Sequence, residues 1–433
     1  MVVVLDTTPF YAEAGGQVSD TGLMKIGADG VLKIDHVARA GDVVFHLGHV
    51  VAGPLTSTNT QPINPKIDMT RRQRIMANHT TTHMLNRALR LHVSESVDQK
   101  GSLVDDEKTR FDFSHHSALT EEQIHQVEQT VNQDISANLP VYWDEAAQDE
   151  ALRINGLRAV FGERYPPTVR VVSIGVQVAD LLNDPTNNKW GNYSIEFCGG
   201  THLCRTGAAG KFVIANEEAV GKGVRRVTGL TGQAASQAIE EGDRLLAQVD
   251  TIRLEPADAM GKHVGGLITQ IAAATLPIYV RVRLNQALAE LTKMVKEHQK
   301  TQSKKAAGAV VDVARQLADN SEGGVIVAAI ENADTNGLRT AMDVIKKRSP
   351  MSPMLLGSVQ DGKVMFLATV PKPLVDQGLK AGDWVRQVAK VAGGGGGGRP
   401  DMAQAGGKDP EKIHAALEVG RAFARDQLAK ESE

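Results

Sequence analysis

The feature that most constrains this chain is a pair of half-sites, each built from near neighbours in sequence. His79 and His83 stand four apart in "TRRQRIMANHTTTHMLNRALRLHV", and Cys198 and His202 stand four apart in "EFCGGTHLCRTG", about 120 residues later. The first segment carries apolar and small residues at helical spacing, which predicts a helix over Thr70–His92. On a helix that spacing sends both imidazoles out of one face. In the second segment, Gly199 and Gly200 are read as supplying the backbone angles of a tight loop that turns Cys198 and His202 toward one point. Two nitrogens from a helix with a thiolate and a nitrogen from a loop make a set of four that suits zinc. A fold that uses both pairs must bring the helix against the loop.

Each half alone is a weak signal. The residues between the histidines are Thr80, Thr81 and Thr82, so the zinc-protease pattern, which needs a glutamate after its first histidine, is absent. Two core or surface histidines are the ordinary alternative. Cys204 is the competing thiol. It reads as a partly buried small residue. Its use as a ligand in place of His202, a Cys198–Cys204 disulfide and Cys/His nucleophilic chemistry stay open as alternatives. Two cysteines in 433 residues argue against a disulfide scaffold and fit a reducing cytoplasm.

The rest of the chain divides by pattern. Residues 1–65 read as short strands separated by Gly, Asp and Pro turns, a small barrel or sandwich. Residues 66–230 read as an α+β domain, with strands at "RFDFSHH", "LPVYWDEA", "TVRVVSIG", "YSIEFCGG" and "GKFVIANEEAV" and a helix capped by Thr120. Further helical sequence is expected around Ala147–Leu157. Residues 231–318 read as helical, with Leu284, Leu288, Leu291 and Val295 on one stripe. "AAATLPIYVRVRL" interrupts that region. Residues 319–433 read as a separate α/β domain. With 42% hydrophobic residues the chain can build two or three real cores. No stretch approaches a membrane span, and the first residues lack the features of a signal peptide.

The net charge of −3 points to no partner, so nucleic acid would need local basic patches. Arg71, Arg72 and Arg74 precede the histidines, and Arg225 and Arg226 adjoin in "GKGVRRV". From Arg281 to Lys305 there are seven Lys/Arg and two Asp/Glu, either a solvated face or a helix near phosphates. The run "VAGGGGGGRPDMAQAGG" lacks the Lys-Ser/Thr of a P-loop. Its glycines, Gly395 and Gly396 among them, and Arg399 still offer backbone N–H groups and a cation suited to phosphate.

In order along the chain, "TPFYAEAGGQVSDTG", "HTTTHMLNRALR", "FDFSH", "VRVVSIG", "SIEFCGGTH", "GVRRVTGLTG" and "GGGGGGRPDMAQAGG" resemble the C-terminal part of the alanyl-tRNA synthetases. The resemblance implies an α+β multidomain chain: a β-barrel-like segment, a zinc-dependent editing domain, a helical connector and a C-terminal α/β domain of the DHH-associated type, known as C-Ala. It implies one zinc ion on His79, His83, Cys198 and His202, and hydrolysis of tRNA(Ala) wrongly charged with serine or glycine. Gln17, Thr81, Thr82, Gln99 and Ser102 are the candidates for serine recognition and catalysis. The implied tRNA contacts are Arg71, Arg72, Arg225, Arg226, Gly395, Gly396 and Arg399. The synthetases bind ATP, but their aminoacylation core is expected to precede Met1. A homodimer through the connector and C-terminal domain, a cytoplasmic location and no membrane partner complete the expectation. A freestanding editing protein acting in trans and a non-catalytic zinc- and RNA-binding module are the rival readings.

Overall fold

The structure is a computed structural model that describes residues 1–54, 63–160, 164–321, 324–360 and 362–429. It divides into two compact units, Met1–Thr292 and Lys293–Glu433.

The first unit opens with strands β1 (Val2–Val4), β2 (Gly22–Ile26), β3 (Gly30–Ala40), β4 (Val43–Ala52) and β5 (Ile63–Ile67). They form one antiparallel sheet in the order β1-β4-β3-β2-β5. The expected barrel is not closed. β1 and β5 are the two edges, and the sheet buries one face over Phe10, Met24, Leu32, Ile34 and Val37. Along β3 the buried Leu32 and Ile34 alternate with exposed Lys33 and Asp35, as a half-buried strand requires.

Helix α1 (Met69–His92) follows, capped by Asp68, whose side chain accepts from Arg71 N. Strands β6 (Gln99–Val104) and β7 (Thr109–Ser114) lead to α2 (Glu121–Ser136). Thr120 caps α2 with Gln123 in a reciprocal capping box. Next come β8 (Val141–Ala147), α3 (Gln148–Ala151), β9 (Thr168–Ile174), α4 (Val178–Asn183), β10 (Ser194–Phe197), β11 (Phe212–Gly221) and β12 (Val224–Thr231). The helix expected around Ala147–Leu157 is thus a single turn, α3, with no side-chain cap. Two antiparallel sheets result, β10-β9-β8 and β11-β12-β7-β6. α1 and α2 share the main core with the four-stranded sheet through Met84, Leu85, Leu89, Phe111, Phe113, Val127, Phe212 and Val227.

Helices α5 (Gly232–Arg253), α6 (Ala257–Ala273) and α7 (Ile278–Asp319) come next, and the division between units falls inside α7. Ala274–Pro277 breaks the helical run, and the rest of "AAATLPIYVRVRL" is helical. Leu284, Leu288 and Leu291 are buried.

The second unit continues with β13 (Ile326–Ala329), α8 (Thr335–Arg348), β14 (Met354–Gln360), β15 (Lys363–Thr369), α9 (Lys372–Asp376), α10 (Ala381–Val391), β16 (Gly395–Gly398), β17 (Met402–Gly407) and α11 (Ile413–Ala429). Its sheet runs β13-β14-β15-β17-β16, with only the β13–β14 pair parallel among the described strands. Trp384 is fully buried and donates its indole N–H to Gly420 O at 2.7 Å, fixing α10 against α11. Among the described residues no helix is long and apolar enough to cross a membrane.

Candidate metal centre

The middle of α1 is buried on all sides, polar residues included. Each buried polar group there must find a partner. Thr82 Oγ1 donates to Asn78 O at 2.7 Å and lies 2.5 Å from Thr109 Oγ1. Asn78 donates to Asp105 O at 2.8 Å and accepts from Thr231 Oγ1 at 2.6 Å. Thr80 Oγ1 accepts from Leu203 N at 3.0 Å and stands 3.3 Å from His202 Nδ1. These bonds lock the helix between β12 and the loop that leaves β10.

That loop brings Cys198 and His202 to His79 and His83. One donor atom from each of the four lies within 4.8 Å of all the others. Cys198 Sγ is 3.4 Å from His79 Nε2 and 3.3 Å from His202 Nε2. The imidazole centroids are 4.4 to 5.2 Å apart. Cys204 is exposed and outside the cluster, and both cysteines are free thiols.

Gly200 closes the approach, by a means other than the one its type predicts. Neither Gly199 nor Gly200 has a positive φ. A Cβ on Gly200 would run into the His79 ring and come within 2.9 Å of Gln17 Oε1, whereas one on Gly199 would meet nothing within 4 Å. The glycine is needed for space, not for backbone angle.

Three observations test the cluster as a metal site. Burial, and after it the Arg170 guanidinium, lowers His79 to about 4. His83 and His202 fall well below their ordinary value, chiefly from burial and then from neighbouring imidazoles. All three rings are therefore neutral at pH 7 and keep their lone pairs. Second, His79 Nδ1 has a partner in Gln17 Oε1 at 2.6 Å and His202 Nδ1 has Thr80, which leaves both Nε2 atoms for the cluster. Third, His83 Nδ1 is buried with no hydrogen-bond partner among the described residues, while its Nε2 lies 3.6 Å from Glu196 Oε2. Burial pushes the Cys198 thiol up to about 12, partly opposed by Gly200 N–H, so a cation beside it is what would favour the thiolate. The donor set fits a metal ion.

The cluster borders a cavity of about 780 Å3. His79, His83 and Cys198 line it, and so do Gln99 and Ser102, which hydrogen-bond to each other at 3.1 Å. Thr82 also lines it, but its hydroxyl is taken up inside the fold. Thr81 and Gln17 are fully buried and do not line it. Arg170 donates to Cys198 O at 3.2 Å and Gly200 O at 2.6 Å, and stacks 4.7 Å over Trp143.

The expected tRNA-contact arginines are mostly paired internally. Arg72 pairs with Asp20; Arg71 pairs with Asp106 at 2.9 Å and donates to Ser19 O at 2.7 Å. Arg225 and Arg226 make bidentate pairs with Glu217 and Asp112. By contrast Arg39, Lys100 and Arg158 line the cavity with no ion pair among the described residues. In the second unit, Gly394, Gly395 and Gly396 border a cavity of about 550 Å3 with Arg386 and Lys390, while Arg399 lies 3.2 Å from Asp401. Glu196, Asn86, Arg170 and Lys390 gave no sequence signal, because each acquires its role only through long-range packing.

Three family descriptions match the chain. "Threonyl and Alanyl tRNA synthetase second additional domain" covers residues 169–228, which include Cys198 and His202. "tRNA synthetases class II (A)" covers residues 1–71, and "DHHA1 domain" covers residues 322–426. A cytoplasmic alanine–tRNA ligase of Dictyostelium discoideum is 38% identical over 98% of this chain and 46% of its own length. An alanine–tRNA ligase of Acetivibrio thermocellus is 38% identical over 99% of this chain and 44% of its own. Among solved structures, the C-Ala domain of Aquifex aeolicus alanyl-tRNA synthetase is 30% identical, covers 24% of this chain and 90% of that one, and has a TM-score of 0.21. The chain spans about half the length of the curated relatives it matches. Over nearly all of its own residues, this chain belongs to the alanyl-tRNA synthetase family.

Proposed function

We propose that the cavity beside the cluster receives the aminoacylated 3′ end of tRNA(Ala) carrying serine or glycine, and that the protein hydrolyses the ester. The observation that carries this reading is a four-donor cluster opening on a 780 Å3 cavity in a chain of this family. The chemistry gives the need. A pocket for alanine excludes glycine weakly, and serine differs by one hydroxyl, discriminations of about 1–3 kcal/mol that call for a second, hydrolytic sieve.

The three-nitrogen, one-sulfur set of His79, His83, His202 and Cys198 favours zinc. Four protein ligands would close the shell of a zinc ion held there, so it would supply Lewis-acid polarisation only with one ligand displaced and would otherwise position the substrate. The chain's own residues do the rest. Gln99 and Ser102 offer the cavity an amide and a hydroxyl for the serine side chain. Arg39, Lys100 and Arg158 offer cations to the phosphates of the terminal nucleotides. Arg170 holds the Cys198–Gly200 backbone in place. The DHHA1 match and the glycine-bordered cavity of the second unit support a separate contact to the tRNA body.

The test is a deacylation assay on Ser-tRNA(Ala), Gly-tRNA(Ala) and Ala-tRNA(Ala), with zinc measured on the same samples. The first two substrates are hydrolysed and the third is spared. His79→Ala and Cys198→Ala lose zinc and activity together, and Cys204→Ser keeps both. A folded, zinc-free His79→Ala protein that hydrolyses Ser-tRNA(Ala) at the normal rate sinks the metal-dependent reading. A zinc-loaded chain that binds tRNA and hydrolyses none of the three is a binding module instead.

A further inference from the structure

Gln17 lies in the N-terminal segment, 62 residues before His79 and 184 before Thr201, and it is fully buried. Its carboxamide makes three bonds. Oε1 lies 2.6 Å from His79 Nδ1 and accepts from Thr201 N at 2.9 Å, and Nε2 donates to Thr201 Oγ1 at 2.9 Å. The orientation of the amide follows from chemistry. A backbone N–H can only donate, so the atom facing Thr201 N must be the oxygen. That same oxygen faces His79 Nδ1, so this nitrogen carries the ring proton. The lone pair of His79 is thereby placed on Nε2, the atom that faces Cys198 Sγ.

Gln17 itself is held on both sides. Gly16 O accepts from Val104 N at 2.8 Å and Val18 N donates to Val104 O at 3.0 Å, so the segment runs as an extra strand beside the end of β6. Gly15 and Gly16 have φ of 57° and 82°, and a Cβ on Gly16 would collide with Ser102. Just beyond, Arg71 and Arg72 of α1 grip Ser19 and Asp20. The helix that carries His79 thus anchors the segment that orients His79.

We propose that Gln17 is a positioning residue of the metal centre: it fixes the tautomer of His79 and ties the Cys198–His202 loop to α1 through Thr201. The N-terminal sheet segment is then a working part of the centre. The inference rests on reading the cluster as a metal site.

The test uses the full chain. Zinc affinity is measured by competition with a chromophoric chelator, and the His79 tautomer by 15N NMR of the metal-free protein. Gln17→Met removes the acceptor at similar volume and weakens zinc binding roughly 10–100-fold. Gln17→Glu restores an acceptor and recovers most of the affinity, a rescue that mere packing would not produce. In the metal-free wild type His79 is protonated at Nδ1, and in Gln17→Met this preference is lost. If Gln17→Met fails to fold, Gln17→Asn, which withdraws the amide by one methylene, shows the same loss. A Met or Asn variant that binds zinc as tightly as wild type overturns the proposal, as does a wild-type His79 protonated at Nε2. A wild-type protein that binds no zinc overturns the metal reading itself, while the tautomer measurement still reports on the Gln17 bond.

Discussion

His83 Nε2 lies 3.6 Å from Glu196 Oε2, and both side chains are almost wholly out of water. Glu196 sits in β10, all four of whose residues are buried, and accepts from Asn86 Nδ2 at 3.1 Å. The carboxyl therefore bridges two side chains one turn apart on α1. His83 Nδ1 has no hydrogen-bond partner among the described residues, so Glu196 is the polar group beside this ring outside the cluster. Glu196→Ala is expected to weaken zinc binding by about tenfold or more, and deacylation with it, since outer partners of metal-binding histidines carry that much affinity. Chelator competition measures it. Unchanged affinity in the Ala variant would remove Glu196 from the centre.

Gly199 and Gly200 adjoin, yet their replacement should have opposite outcomes. Added at Gly200, a Cβ strikes the His79 ring and crowds Gln17 Oε1 at 2.9 Å. Neither can retreat, because the ring is packed against two other imidazoles and the amide is bonded three ways. Gly200→Ala is expected to lose metal, and Gly199→Ala to retain it, as read by zinc content of purified protein. A zinc-replete Gly200→Ala chain would show that the loop yields more easily than its contacts imply.

The four-donor cluster was legible because each half is local: His79 with His83 on one helix, Cys198 with His202 on one loop. Their partners were not. Nothing in "SIEFC" distinguishes Glu196 from a solvent-facing strand residue, because its burial comes from β10 lying against α1. Arg226 looks like a free cation until the register of β12 against β7 sets it opposite Asp112. The N-terminal strands read from sequence as a barrel or sandwich, and the sheet is instead open, for a related reason. Alternation reveals a buried face, but not whether the edge strands β1 and β5 meet.

Glu128 of α2 accepts from Ile214 N at 2.8 Å, and burial raises its carboxyl to about 7. Tyr279, with Asp243 and Arg283 near it, is the titratable neighbour that feels its charge. The unfolded chain releases this proton near 4.5, whereas the folded chain keeps it to about 7. Stability present below pH 4.5 is therefore lost as pH rises through 7. Glu128→Gln keeps an acceptor for Ile214 N and cannot ionise. Its unfolding midpoint should exceed that of wild type at pH 8 and converge with it at low pH. Thermal melts at both pH values decide this; a gap that does not change with pH would refute it.

The glycine run of the second unit has two kinds of position. A Cβ at Gly394, Gly396 or Gly398 would collide with backbone of β17, whereas at Gly395 nothing lies within 4 Å. Alternate glycines thus let β16 lie close against β17, and β16 is an edge strand with no further strand paired to it among the described residues. Lys390 borders the adjacent cavity and has no ion pair among the described residues; Arg386 is held by Asp383 at 2.7 Å and Arg399 by Asp401. Of the three cations Lys390 is the freest to meet a phosphate. Lys390→Gln should weaken tRNA(Ala) binding and lower the salt slope of log affinity by about one, with a smaller effect from Arg399→Gln. Gly395→Ala should fold normally and weaken binding, while Gly396→Ala should lower the melting temperature. Filter binding across a range of KCl concentrations supplies the slopes. An unchanged slope for Lys390→Gln would move the tRNA contact elsewhere on the unit.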